Sequence, residues 1–244
     1  MISDPARRQA ISFNPGWDTA IAVATAVLMI GVYYLNSNFG YEQPAVFFIV
    51  FLGFGHLLLN TAIPAFVVFR ICKEGWSGLG IRKEKLLLSL LISVILGALF
   101  FGGLIQSLEE FDGDPVPHIV FNGIALWEPL FVYGWLQLRF EKAFGYILAP
   151  ILAGLAFSAY HFGSFPIDMV FMLFGFGVFY GIIFGLVRNL LVLIPITWAF
   201  GSSIGTIEGG FSFDWFTVGI YACVLLAQLG IFYALKPSGR SQVA

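Results

Sequence analysis

Glu128 lies in Ala125-Leu126-Trp127-Glu128-Pro129-Leu130-Phe131, near the middle of a long apolar run. An ionisable side chain inside hydrocarbon costs at least about 2.5 to 3.5 kcal/mol on insertion scales, so it marks a reactive site or a paired structural contact. Four other polar residues share this setting. His161 falls toward the far end of the next apolar run, His56 in the middle of an earlier one, Asn60 one helical turn beyond His56, and Asn122 a turn and a half before Glu128. Desolvation favours a protonated carboxyl unless a cation or several donors face it. No Lys or Arg is available at membrane depth, so the partner of Glu128 is a histidine, an amide, water or a metal. A carboxylate of this kind takes a proton from water while an imidazole positions the water, shares the proton or stabilises developing charge, which is the chemistry of hydrolysis. His56-Leu57-Leu58-Leu59-Asn60 sets an imidazole and an amide on one helix face. Glu128, His161 and His56 together would give a divalent metal such as zinc three ligands and one open position. Spacing along three separate runs leaves their convergence open.

These residues require an apolar scaffold, and the composition supplies one. The 244 residues are 59% hydrophobic and 11% charged, with a mean hydropathy of +0.91, which excludes a water-soluble enzyme. The 28 Phe and 28 Gly suit lipid-facing surface and close helix packing. A net charge of -2 offers no basic surface for nucleic acid. Apolar runs of roughly 20 residues, the length that crosses a bilayer, fall at 17–35, 45–69, 86–108, 118–140, 146–165, 167–187, 190–205 and 215–235. The seventh contains Pro195, Gly201 and Gly205 and is expected to be kinked. The expectation is an all-α polytopic membrane bundle of about eight transmembrane helices, a single domain over 17–235 between short tails at 1–16 and 236–244.

All 12 Lys and Arg fall on one side of this arrangement: Arg7, Arg8, Arg70, Lys73, Arg82, Lys83, Lys85, Arg139, Lys142, Arg188, Lys236 and Arg240. The opposite loops carry Glu42, Glu109, Glu110, Asp112, Asp114, Asp168, Glu208 and Asp214. By the positive-inside rule both termini are cytoplasmic, and the cell (plasma) membrane is the expected location. The first apolar run lacks a convincing cleavage site and is read as a retained span. Cys72 and Cys223 provide neither a disulfide framework nor a thiolate metal site.

The fourth and fifth runs resemble the two core motifs of the CPBP family (CAAX protease and bacteriocin-processing, Abi-type) of intramembrane endopeptidases. The family's first motif, Glu-Glu-x-x-x-Arg followed by Gly, is similar to Glu128-Pro129-Leu130-Phe131-Val132-Tyr133-Gly134, and its Phe-x-x-x-His is similar to Phe157-Ser158-Ala159-Tyr160-His161. Trp76-Ser77-Gly78-Leu79-Gly80-Ile81-Arg82 is similar to an early family signature. The resemblance places a core at about 86–205. It implies a metallo- or glutamic-type endopeptidase cleaving a peptide bond near the membrane, with Glu128 as general base and His161 as its partner. A prenylated or leader-type peptide would be the substrate, with Asn60, Asn122 and Tyr133 as supporting residues. The chain departs from the pattern at Pro129 and Tyr133, which replace the second Glu and the Arg. A third motif, His-x-x-x-Asn, is missing from Leu193 to Ser203. Loss of an oxyanion donor costs about 10²–10³ in rate.

Two other functions compete: a catalytically lapsed relative acting as a membrane partner or chaperone, and a haem or lipophilic-cofactor protein using His56 and His161. Structural roles also stand beside the chemical ones. Glu128 would be a hydrogen-bonding residue within the bundle, His161 a helix-end imidazole on a backbone carbonyl, His56 an interhelical contact and His118 an interface residue at the outer mouth. Gly177-x-x-x-Gly181-x-x-x-Gly185 lines up three small residues for packing within the bundle or for an oligomer.

Overall fold

Every apolar run is helical in the computed structural model, which describes residues 9–109, 111–125, 127–203, 206–207 and 210–236. Arg7, Arg8, Glu110, Gly205, Glu208 and Arg240 lie outside the described residues. The helices are α1 (Trp17–Phe39), α2 (Val46–Ile71), α3 (Leu86–Glu109), α4 (Pro115–Ile124), α5 (127–144), α6 (Leu148–Ala159), α7 (Ile167–Val187), α8 (Leu190–Ser202) and α9 (Trp215–Leu235). No strand occurs among the described residues, so the fold is an all-α membrane bundle. Among the described residues, six segments are long and apolar enough to cross a membrane: α1, α2, α3, the α4–α5 pair, α7 and α9. Helices α6 and α8 are shorter. At 1.5 Å per residue, α6 rises about 18 Å against a hydrocarbon core of about 30 Å. It therefore ends within the thickness of the bundle.

The fourth run was expected to be one continuous helix, but it breaks after Ile124, where Ala125 takes a non-helical ψ of 49°. Pro129 explains the break. It has no N–H to give the carbonyl four residues earlier, and its ring clashes there, so a helix tolerates it only in its first turn. A new helix accordingly starts at Trp127. Asp114 caps α4 by accepting from the Val116 amide, with Pro115 in the first helical position. Pro195 similarly falls in the first turn of the regular part of α8, Ile194–Ser202, after a 3₁₀ turn over Leu190–Val192.

Helix α5 is the central post, with every residue from Phe131 to Gln137 buried. It packs on α6, α6 packs on α7, and α3 lies against α8, while α1 and α9 flank α2. Two close approaches require glycine. A Cβ on Gly134 would sit 2.6 Å from the Leu79 carbonyl oxygen, and one on Gly177 would sit 2.8 Å from the Gly154 Cα. A Cβ on Gly181 would likewise press on Pro150 of α6. The glycine face of α7 is thus filled from inside the bundle at Gly177 and Gly181, and Gly185 faces Gln137 of α5. Packing within the bundle thus uses the space that Gly177 and Gly181 create.

The basic residues gather at one end of the bundle. Arg139 Nη1 lies 3.3 Å from Asp18 Oδ2 and 3.2 Å from Glu74 Oε1, and Nη2 donates to Glu74 and to the Gly78 carbonyl. Lys142 Nζ reaches Asp18 Oδ2 at 2.8 Å, and Arg188 pairs with Glu141. These contacts tie α1, the 72–80 connection, α5 and α7 together. At the other end α1 meets the α6–α7 turn, where Ser37 and Ser164 are hydrogen-bonded to each other.

Candidate functional site

The break before Trp127 puts Glu128 in the first turn of α5, inside the bundle. Free N–H groups and the positive end of the helix dipole favour a carboxylate at such a position. Tyr33 of α1 and Tyr180 of α7 line the same cavity as Glu128, and the buried rings of Tyr160 at the end of α6 and Tyr133 of α5 pack against them. The hydroxyls of Tyr160 and Tyr180 are buried with no hydrogen-bond partner among the described residues.

His161 follows the last turn of α6. Its amide bonds the Ser158 carbonyl, and its Nδ1 lies 2.8 Å from the Phe157 carbonyl oxygen. A carbonyl only accepts, so Nδ1 carries the proton and Nε2 of the neutral ring is left as an acceptor. The rings of Phe157 and Tyr160 flank the imidazole at 5.1 and 4.4 Å between centroids. His161 therefore has the helix-end contact anticipated as its structural role, while its other face remains open to a cavity.

That cavity has a volume of about 590 Å³. Glu128 and His161 both line it, and no other Asp, Glu, His, Lys or Arg does so among the described residues. Much of the wall is aromatic, including Phe47, Phe51, Phe121, Phe165 and Phe213. Tyr41 and Phe216, which are 84% and 73% exposed, lie at its mouth. The mouth is on the side of the α6–α7 turn, opposite the Arg139 cluster, since Ser164 and Ser37 also line it.

Asn122 of α4 joins the cavity wall. Its Nδ2 donates to the His118 carbonyl at 3.0 Å and to Thr206 Oγ1 at 3.4 Å. The remaining sequence candidates do not line it. His56 is wholly buried behind Trp127, edge-on to the indole at 4.5 Å, and neither ring nitrogen has a hydrogen-bond partner among the described residues. Asn60, one turn away, is buried with both amide atoms unpartnered. Tyr133 donates to the Gly177 carbonyl at 3.2 Å, so it fastens α5 to α7.

The zinc-like set of His56, Glu128 and His161 is thereby corrected. No group of three or more His, Cys, Asp or Glu able to hold a metal forms among the described residues. The indole of Trp127 occupies the space on the cavity side of His56. His56 and His161 do not line a common cavity.

His118 was expected at the outer interface but is fully buried. Its Nε2 lies 3.0 Å from the Ser202 carbonyl oxygen and 2.6 Å from Thr206 Oγ1, and Phe213 stacks on the ring. The sequence held a signal for this role: His118-Ile119-Val120-Phe121-Asn122 has the His-x-x-x-Asn spacing that is absent from α8. The two side chains meet the end of α8 from outside, His118 at Ser202 and Asn122 beside Gly201.

Residues 115–201 match the family model described as type II CAAX prenyl endopeptidase Rce1-like. This segment is Rce1-like. It runs from α4 through α8, lies within the core expected from the motifs, and agrees with the CPBP resemblance. Glu128, His161, Asn122, His118 and the tyrosines at 133, 160 and 180 all belong to the Rce1-like segment, whereas His56 and Asn60 precede it. No curated protein and no solved structure matches the chain. With six apolar helices of spanning length, the chain is an integral, multi-pass membrane protein.

Proposed function

We propose that this protein is an intramembrane endopeptidase that hydrolyses a peptide bond in a membrane-associated peptide, with Glu128 as general base and His161 as its partner. The observation that carries the reading is the shared cavity: the Rce1-like segment brings one carboxylate and one imidazole to an aromatic pocket with no cation on its wall. Water held between the two groups gives a proton to Glu128 and attacks the scissile carbonyl, while the Nε2 lone pair of His161 accepts the second water hydrogen and fixes its direction. Glu128 then returns the proton to the leaving amine. Exclusion of bulk water by the aromatic wall strengthens each of these contacts.

The peptide enters from the cavity mouth, and its lipid or apolar side chains lie along the phenylalanines. The mouth is on the side away from the basic cluster. With both termini cytoplasmic in the plasma membrane, that direction suits a leader-type or exported peptide better than a cytosolic prenylated one. Purified protein incubated with a panel of leader-type and prenylated membrane peptides tests this. Cleavage by wild type and none by Glu128→Gln supports it; equal inactivity of both across the panel removes it. Pro129, Tyr133 and the lack of His and Asn in α8 favour a second reading, a lapsed relative that binds a membrane partner. Co-purification of one stable partner that survives Glu128→Gln would select it.

A further inference from the structure

Glu128 and His161 are held in place by different means. Glu128 belongs to α5, whose backbone is fixed by its own hydrogen bonds and by burial from Phe131 to Gln137. His161 instead follows the last turn of α6, in the connection that leads to α7 at Ile167. Connections move more readily than the helices they join. A displacement of about 1 Å between reacting groups can cost about 10²-fold in rate, so a base and an imidazole acting on one water require the connection to be tied down.

Contacts within the connection orient the ring without anchoring it. Nδ1 is set on the Phe157 carbonyl, and the amides of Ser164 and Phe165 both donate to the His161 carbonyl, at 3.0 and 3.3 Å. These bonds curl the turn on itself and travel with it. Gly163 permits the curl with a φ of 91°, in the left-handed region that a Cβ disfavours. The anchor to another element comes from α1. Ser37 Oγ donates to the Tyr33 carbonyl at 2.9 Å, and the hydroxyls of Ser37 and Ser164 are hydrogen-bonded to each other. A hydroxyl carries one proton, and that of Ser37 is committed to Tyr33, so Ser164 donates and Ser37 accepts. The same stretch of α1 brings the Tyr33 ring to 6.3 Å from the imidazole, and a Cβ on Gly163 would sit 2.9 Å from the Tyr34 ring. Ser37, Gly163 and Ser164 all line the cavity together with His161.

We propose that Ser37 and Ser164 are positioning residues for His161: their hydroxyl pair ties the α6–α7 connection to α1 and fixes the depth at which the imidazole meets the cavity. Ser164 supplies the proton from the connection, and Ser37, itself held by Tyr33, supplies the lone pair from the helix. As a statement about catalysis this rests on the endopeptidase reading; as a statement about the placement of His161 it does not.

The test uses that independence. Diethyl pyrocarbonate acylates the unprotonated nitrogen of an imidazole it can reach, and the added mass locates the modified residue. The chain has 3 histidines, and His56 and His118 are fully buried, so they serve as references for His161 in the same sample. Labelling rates are measured on full-length protein in detergent, with no substrate present. Loss of an intramolecular hydrogen bond changes an opening equilibrium by about 2–10-fold, so Ser164→Ala and Ser37→Ala each speed the labelling of His161 by about that factor while His56 and His118 stay protected. The double variant goes no further than either single one, because all three lose the same bond. Ser164→Thr, which keeps a hydroxyl, returns the rate toward wild type. On a cleaved peptide the alanine variants lower kcat and leave KM in place. An unchanged His161 rate in both alanine variants overturns the proposal. So does an equal rise at all three histidines, which would mark general loosening of the bundle; if one variant does not fold, the other decides alone. Faster labelling with no peptide cleaved by wild type would leave this assignment standing and remove the endopeptidase reading. Cleavage that depends on Glu128, with no change in labelling in either variant, would do the reverse.

Discussion

Charge enters the apolar bundle at two places, and they are handled in opposite ways. At the basic end Arg139 is buried with Asp18 and Glu74 as ion partners and the Gly78 carbonyl as a further acceptor. At the cavity Glu128 faces phenols, an imidazole and the start of its own helix, with no cation on the cavity wall. A buried ion pair whose members are fully bonded is spent on holding segments together. A buried carboxyl with only neutral donors keeps its proton exchangeable and its lone pairs available. The first region is a clamp and the second is chemically open, although both look alike as isolated charges in apolar sequence.

Substitutions at the two regions should therefore separate activity from stability. The largest effect expected is on cleavage: Glu128→Gln lowers the rate on a membrane peptide by about 10²–10⁴-fold, while the melting temperature in detergent holds or rises. Unfolding of that variant would erase the contrast, since Glu128 would then also be a structural bond. Arg139→Leu strands two carboxylates and costs about 3–5 kcal/mol of stability, read as a lower melting temperature. A variant as stable as wild type would show that the clamp contributes nothing.

A smaller effect lies between the two regions. Gly177→Leu forces a side chain onto Gly154 and costs about 1–3 kcal/mol, whereas Gly185→Leu meets only the flexible end of Gln137 and is tolerated better in the same thermal assay. Equal tolerance would mean that the α6–α7 contact yields. The smallest effect belongs to Lys142→Ala, whose side chain is 60% exposed although it pairs with Asp18; it changes stability by about 0–1 kcal/mol. A loss as large as that of Arg139→Leu would make burial the wrong criterion for dividing the clamp into strong and weak members.

The helical class, the spanning runs and the one-sided basic residues follow from composition and order, because hydrocarbon admits only internally bonded backbone and charge avoids it. Glu128 and His161 were also legible as candidates, since each stands out as polar within an apolar run, and both line one cavity. The break at Ala125 was signalled by Pro129 but passed over within a run long enough to read as one helix. His118 was misread because its residue number places it near a span end, while its burial comes from contacts with Thr206 and Phe213.

What the amino-acid order determined by itself is a membrane bundle with one acid and one histidine on consecutive runs, since hydropathy and charge are local properties of the chain. Only the tertiary structure decided that His56 stands behind Trp127, that Asn122 reaches the cavity and Tyr133 does not, and that tyrosines and no Lys or Arg among the described residues line the cavity with Glu128. Those are matters of rotation and depth among helices far apart in sequence. Helical periodicity fixes which residues share a face, and only packing fixes what that face meets.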